Sequence, residues 1–239
     1  MENLTISFQP LSAPEEPIEA GSRSLSTAYA VTRHHLTYRH RPFLPVMGEF
    51  HYSRWPADEW ELSLRKMKAC GITIVATYVF WIHHEEERGI WRTDGNLDLR
   101  RFLSLCRDVG LQVFLRIGPW AHGECRHGGF PDWLQHDPTL RLRTNDPAYL
   151  DLVRGFYGHI FEMARGFMLD DGGPILGIQL ENEYGHCGGE HGEAGMAHMR
   201  MLKEIAVETG FRVPYYTATG WGGANVVAHE MLPVMGGYV

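Results

Sequence analysis

The segment Gly172–Gly185 reads GGPILGIQLENEYG and holds the densest run of groups able to do chemistry in the chain. Ile175–Leu180 has the apolar, β-branched character of a buried strand, so Glu181, Asn182 and Glu183 emerge at its end. A side-chain period of two puts Glu181 and Glu183 on one face and Asn182 on the other, unless the strand end is bulged. Two carboxylates and an amide at one mouth suit cleavage of a glycosidic bond: a carboxyl with a raised pKa protonates the leaving oxygen, and the amide donates to a sugar hydroxyl. A solvated strand end with its charges facing water fits the same spacing. Glu181 also fits a structural carboxylate paired with an arginine such as Arg116 or Arg54.

The elements that must position these groups alternate along the chain. Tyr29–Thr32 and His35–Tyr38 read as short strands, and the apolar run Pro42–His51 as the first strand of a larger sheet. Trp55–Cys70 carries Trp60, Leu64 and Met67 at helical spacing and is stopped by Gly71. Ile72–Trp81 (ITIVATYVFW) follows as a buried strand. Leu97–Val109 is an amphipathic helix ending at Gly110, and Leu111–Ile117 a strand. Pro147–Met168 is a long helix, Ile175–Leu180 a strand, Met196–Thr209 a helix and Val213–Thr217 a fifth barrel strand. Met231–Met235 makes a sixth, with Pro233 inside it counting against a central position.

Strands alternating with helices imply parallel βα units. A polar or aromatic cluster closes each strand: His51, Tyr52 and Arg54; Tyr78, Trp81, His84 and Glu85; Trp120, His122 and Glu124; Glu181–Tyr184; Thr219 and Trp221. Chemistry gathered at successive C-terminal strand ends is the layout of a (β/α)8 TIM barrel. A doubly wound sheet would instead carry a glycine-rich phosphate loop after its first strand, and none is present. The fold class expected is therefore α/β, a TIM barrel with about five to six of its βα units, over residues 29–239. Residues 1–28, rich in Pro, Glu, Ala, Gly and Ser from Pro10 to Ser26, read as a flexible lead-in.

Composition narrows the function classes. The 239 residues carry 22 Lys+Arg against 29 Asp+Glu, a net charge of −7, so phosphate-backbone binding is not expected. With 44 % hydrophobic and 12 % aromatic residues the chain has the material for a packed core, and no apolar run is long enough to span a membrane. Met1–Gln9 lacks the basic and apolar regions of a signal peptide, so a cytoplasmic protein with its four cysteines reduced is expected. The fourteen histidines include HisGlyGluCysArgHis at 122–127, His83-His84-Glu85 and His186-Cys187, but none has the paired spacing of a structural zinc site. No metal and no cofactor is expected.

The segment Gly172–Tyr184 resembles the signature of glycoside hydrolase family 35, a family containing many β-galactosidases, at every defined position of GGP-apolar-apolar-x-x-Q-x-ENE-aromatic. The resemblance extends through GEFHYSRWP (48–56), LRKMKACGI (64–72), TYVFW (77–81), LRIGPW (115–120), GGFPDWL (128–134) and TATGW (217–221). It implies that Glu183 is the general acid/base and that Asn182 bonds the sugar 2-hydroxyl. It likewise implies that Tyr78 contacts the sugar, that Glu124 binds its hydroxyls, and that His122 and Gly123 form the adjacent wall beside Trp120. Phe80 stands where the family often has Pro, and His122–Cys125 depart from the expected Cys-Ala-Glu-Trp, changes that bear on substrate preference. The implied substrate is a β-galactoside, cleaved by a retaining exo-acting enzyme. Another exo-β-glycosidase, such as a β-glucosaminidase, or a non-catalytic carbohydrate-binding partial barrel are the alternatives.

A retaining glycosidase needs a second carboxylate about 5–5.5 Å from the first. The resemblance puts it at the end of barrel strand seven, beyond Val239. Glu190, Glu193, Glu204 and Glu208 belong to the loop and helix after strand four, and Glu230 precedes strand six, the wrong end of the barrel. The length, slightly short of the roughly 250 residues of a full barrel, agrees with a chain that stops before that strand. Alone it is expected to be inactive. His51, Tyr52 and Arg54 are expected either to position the carboxylates or simply to pack.

Overall fold

The computed structural model describes residues 29–32, 36–219, 224–228 and 230–234. Two sheets organise them. Strands β1 (Tyr29–Val31), β2 (Leu36–Tyr38) and β3 (Arg41–Phe43) form an antiparallel meander. Strands β4 (Met47–Glu49), β5 (Ile74–Tyr78), β6 (Gln112–Gly118), β7 (Ile175–Leu180), β8 (Tyr215–Ala218) and β9 (Leu232–Val234) pair in chain order, all parallel. Sequential parallel pairing with helical crossovers is the first six strands of a (β/α) barrel. The lead-in at 1–28, Trp221 and the end of the sixth-strand segment lie outside the described residues.

Helices α1 (Trp60–Ala69), α2 (Trp81–His84), α3 (Leu99–Val109), α4 (Asp132–Gln135), α5 (Pro147–Ala164) and α6 (Gly192–Thr209) fill the crossovers. Their starts and stops follow local chemistry. The Asp98 side chain accepts from Arg101 N and caps α3, and Asp146 accepts from Ala148 N and Tyr149 N ahead of Pro147 to cap α5. Gly110 and Gly210 end α3 and α6 at φ 78° and 118°, a conformation that glycine adopts without penalty.

Alternation along each barrel strand sorts the side chains. Val75, Val113, Leu115, Ile117, Ile178, Leu180 and Tyr215 join the main core between sheet and helices. The opposite set fills the barrel interior. Ile74 and Leu176 pack with Phe114, Leu232, Tyr29, Leu36 and Phe43, so the β1–β3 meander closes the N-terminal end of the barrel. Phe114 lies against Tyr216 at 4.5 Å between ring centroids, and a Cβ on Gly177 would come within 3.3 Å of the Phe114 ring. Glycine there makes room for the aromatic layer. Above it sit Tyr78, Arg116 and Gln179, so polarity rises toward the C-terminal mouth.

Two expected elements divide. The run Pro42–His51 is not one strand: β3 belongs to the meander and β4 to the barrel, joined by Leu44–Val46 with Leu44 84 % exposed. Pro45, with no N–H to give to a ladder, sits in that crossing. The run Ile72–Trp81 pairs only over Ile74–Tyr78, and Trp81 then opens α2. Its remaining apolar residues are buried by packing instead, with Trp81 stacked on Phe156 at 4.3 Å. Pro233 falls in β9, where the parallel sheet ends among the described residues.

Candidate active site

Beyond Leu180 the chain leaves the ladder, and Glu181 and Glu183 both take left-handed backbone, at φ 54° and 49°. Each such residue costs of the order of 1 kcal/mol or more and persists only where its surroundings hold it. Glu181 N donates to Gly118 O at 2.7 Å and Glu183 N to Ala218 O at 2.9 Å, tying the turn to strands on both sides. Side-chain alternation therefore fails here. The expectation that Glu181 and Glu183 share a face is corrected.

Glu181 is wholly buried and receives both arms of Arg143, Nε to Oε1 at 3.1 Å and Nη2 to Oε2 at 2.8 Å. Burial raises its carboxyl above the usual range, and the guanidinium opposes that shift. The expected structural ion pair exists, but its partner is neither Arg116 nor Arg54. Arg143 also lies over the Trp120 ring at 4.0 Å and donates to Cys187 O at 2.5 Å, so one cation braces two loops of the mouth.

Asn182 turns into the barrel. Its Oδ1 accepts from Tyr78 Oη at 2.9 Å, Arg116 Nη2 at 2.9 Å and Gln179 Nε2 at 3.2 Å. Three donors on one oxygen fix the amide's orientation and direct its Nδ2 hydrogens away from this network. Arg116 is held in turn by an ion pair with Glu49 and lies 3.7 Å from the Tyr78 ring. Burial pushes the Tyr78 phenol well above its ordinary range, so it remains a donor. His51 accepts from Tyr78 N at 3.3 Å, and burial beside Arg54 lowers its pKa to about 4, leaving a neutral ring against Tyr78.

Glu183 accepts from the Cys187 thiol, Sγ to Oε2, at 2.8 Å. Burial, the hydrogen bond and the Glu183 charge push that thiol up to about 11, so it keeps its proton at neutral pH. The two are brought together by a turn in which Cys187 N donates to Glu183 O at 2.8 Å. Donor atoms of His122, Glu183 and Cys187 all lie within 4.8 Å of one another.

The loop after β6 supplies the other expected residues. Gly123, at φ 52°, packs on Tyr78 and Phe80, where a Cβ would come within 3.0 Å of the Phe80 ring. His122 sits 4.9 Å from the Trp120 ring. Glu124 turns outward and lines a cleft of about 490 Å³ with Ser53, Arg54, His83, Glu86 and Arg126. Tyr78 and Asn182 thus meet directly, and His122 meets Glu183, while Glu124 stands at the rim. Glu230 bonds Arg200 and Lys203 of α6, at 3.2 and 3.3 Å, away from the mouth.

Sequence reasoning missed Arg143 and Glu49 as members of this network. Neither has a local signal, since each acts across the fold. Gln179 was legible in principle, because a period of two along β7 turns it inward above Gly177.

Comparison with known proteins adds an independent line. Residues 35–230 match the family described as Glycosyl hydrolases family 35. The chain is 35 % identical over 195 residues to Beta-galactosidase-1-like protein 3 of Homo sapiens, covering 80 % of this chain and 30 % of that protein. It is 38 % identical over 189 residues to Beta-galactosidase 6 of Oryza sativa subsp. japonica, covering 75 % and 22 %. The chain therefore spans less than a third of these relatives. Among solved structures it is similar to the exo-beta-1,4-mannosidase Op5Man5 from Opitutaceae bacterium strain TAV5, with TM-score 0.61 and 20 % identity over 82 % of this chain and 34 % of that one. A GH5_18 protein from Streptomyces cattleya in complex with GlcNAc gives TM-score 0.59 and 15 % identity, over 74 % and 44 %. At these identities the likeness is one of fold.

Proposed function

The chain belongs to glycosyl hydrolases family 35, and from that premise we propose that it carries the acid/base half of a retaining exo-β-galactosidase site. In this reading Glu183 protonates the glycosidic oxygen as the leaving group departs, then takes a proton from the attacking water. The observation that carries the reading is the polarity of Asn182. Tyr78, Arg116 and Gln179 occupy its oxygen, so its N–H groups are the ones left to meet an acceptor, as a sugar 2-hydroxyl requires. That contact strengthens as charge develops at the anomeric carbon. Tyr78 borders the same sugar, Gly123 and His122 form a wall, and Glu124 binds hydroxyls at the rim.

The second carboxylate, the nucleophile, is assigned to a residue outside the described ones, and Glu230 is set aside because α6 holds it. Activity therefore belongs to the whole protein rather than to these residues alone. A panel of nitrophenyl glycosides, assayed with that protein, tests the substrate class. The β-galactoside is expected to turn over fastest. A β-glucosaminide turned over faster would replace the substrate assignment. Galactose binding with no hydrolysis of any member would replace catalysis by carbohydrate binding.

A further inference from the structure

Among the described residues, His122, Glu183 and Cys187 form the one group of three metal-ligating side chains whose donor atoms lie within 4.8 Å of one another. No local spacing announces it, because His122 comes from the loop after β6 and the other two from the turn after β7. Both loops are held by their own backbone. Cys125 N donates to His122 O at 2.9 Å, and His186 N and Cys187 N donate to Glu183 O at 2.9 and 2.8 Å. His122 and Glu183 stand at φ 61° and 49°, so left-handed backbone on each loop sets where the two side chains start. Arg143, which donates to Cys187 O, is already engaged by Glu181 through two hydrogen bonds.

We propose that these three residues form a site for a zinc-like divalent cation that occupies Glu183 and blocks the active site. One sulfur, one imidazole nitrogen and one carboxylate oxygen are the ligand types zinc takes in tetrahedral sites with an open fourth position. Bonds of about 2.0–2.3 Å in that geometry separate ligand atoms by roughly 3.5 Å, so closure from the present spacing takes side-chain adjustments of about 1 Å. On binding, the sulfur–hydrogen bond of Cys187 breaks, a sulfur–zinc bond forms and the proton passes to solvent. No electron changes hands. Water fills the fourth position. Inhibition follows only if Glu183 is the acid/base, and so rests on the reading above; occupancy of the site does not.

Titration of the purified full-length protein with Zn²⁺ by calorimetry, and with Co²⁺ as a spectroscopic probe, tests the site. The expected result is one Zn²⁺ per chain, a sulfur-to-cobalt charge-transfer band in the near ultraviolet, and binding weakened at least about tenfold in Cys187→Ser and in His122→Ala. Cys70→Ser, which alters an exposed thiol far along the chain, leaves binding unchanged. Absence of saturable uptake, a cobalt adduct without the sulfur band, or affinity unchanged in both variants would overturn the proposal. Should Cys187→Ser fail to fold, His122→Ala and the cobalt spectrum decide alone. Zinc that binds with the expected dependence yet leaves hydrolysis unaffected would establish the site and contradict the role given to Glu183.

Discussion

Glu181 and Glu183 lie two positions apart and meet opposite surroundings. Glu181 is enclosed and locked to Arg143, whereas Glu183 is half-buried with a thiol on one oxygen. The sequence motif made both visible but could not show that they face apart, because the left-handed turn that separates them is held by Gly118 and Ala218 on neighbouring strands. Glu181 as a structural carboxylate was legible; its partner was not, since Arg143 reaches it from a distant loop. Removing one member of a buried ion pair leaves the other charge stranded, so Arg143→Leu is expected to cost about 3–5 kcal/mol in urea unfolding. Arg143→Lys should recover only part of that loss, having no fork to engage both carboxylate oxygens. A cost below about 1 kcal/mol for Arg143→Leu would mean that the pair does not brace the mouth.

At the scale of elements, β7 is the strand whose sequence reading matched its observed bounds, Ile175–Leu180, because every residue from Ile175 to Leu180 is buried between Pro174 and the charged turn at Glu181. Runs longer than the ladder misled. Val79–Trp81 are as apolar as the strand before them, yet helices and loops rather than neighbouring strands bury them. The loop after β6 shows a constraint invisible to periodicity. Gly128, at φ 63°, lies so close to Trp120 that an added Cβ would stand 1.8 Å from the indole nitrogen. Gly128→Ala is therefore expected to displace Trp120, which carries Arg143 on its face, and to destabilise by about 2–4 kcal/mol. Tryptophan fluorescence together with urea unfolding measures both effects. An unchanged emission maximum would show that the loop relaxes without moving the indole.

For the whole molecule, the order of six parallel strands was legible as alternation, whereas the closure of their N-terminal end was not, because it depends on Tyr29, Leu36 and Phe43 packing across the fold onto Ile74 and Leu176. Three histidine rings, two buried (His84 and His198) and one half-buried (His51), add a property of the entire fold. His51 and His84 are lowered to about 4 and His198 to about 3, burial being the first cause in each case. The unfolded chain binds protons on these rings below pH 6.5 while the folded one does not, so stability falls as the pH drops from 6.5 through about 4. By pH 4.5 each ring is expected to contribute a loss of about 2 kcal/mol. Thermal melts at pH 7 and pH 5 follow the loss, and the imidazole resonances of His84 and His198 should not titrate between pH 8 and pH 5 in the native protein. An inflection near pH 6.5 on either ring would refute its buried, neutral state.

The central claim, that Glu183 donates the proton to the leaving oxygen, is tested most directly by leaving-group dependence in Glu183→Gln. A nitrophenolate departs without protonation, whereas an alkoxide does not. Measured as kcat/KM, which reports the first bond cleavage and not the base-assisted attack of water that follows, the rate on an alkyl β-galactoside should therefore fall by about 10²–10⁴ in the variant protein, and that on the nitrophenyl β-galactoside by far less. Equal losses on both substrates, or an unchanged rate on the alkyl galactoside, would contradict the assignment.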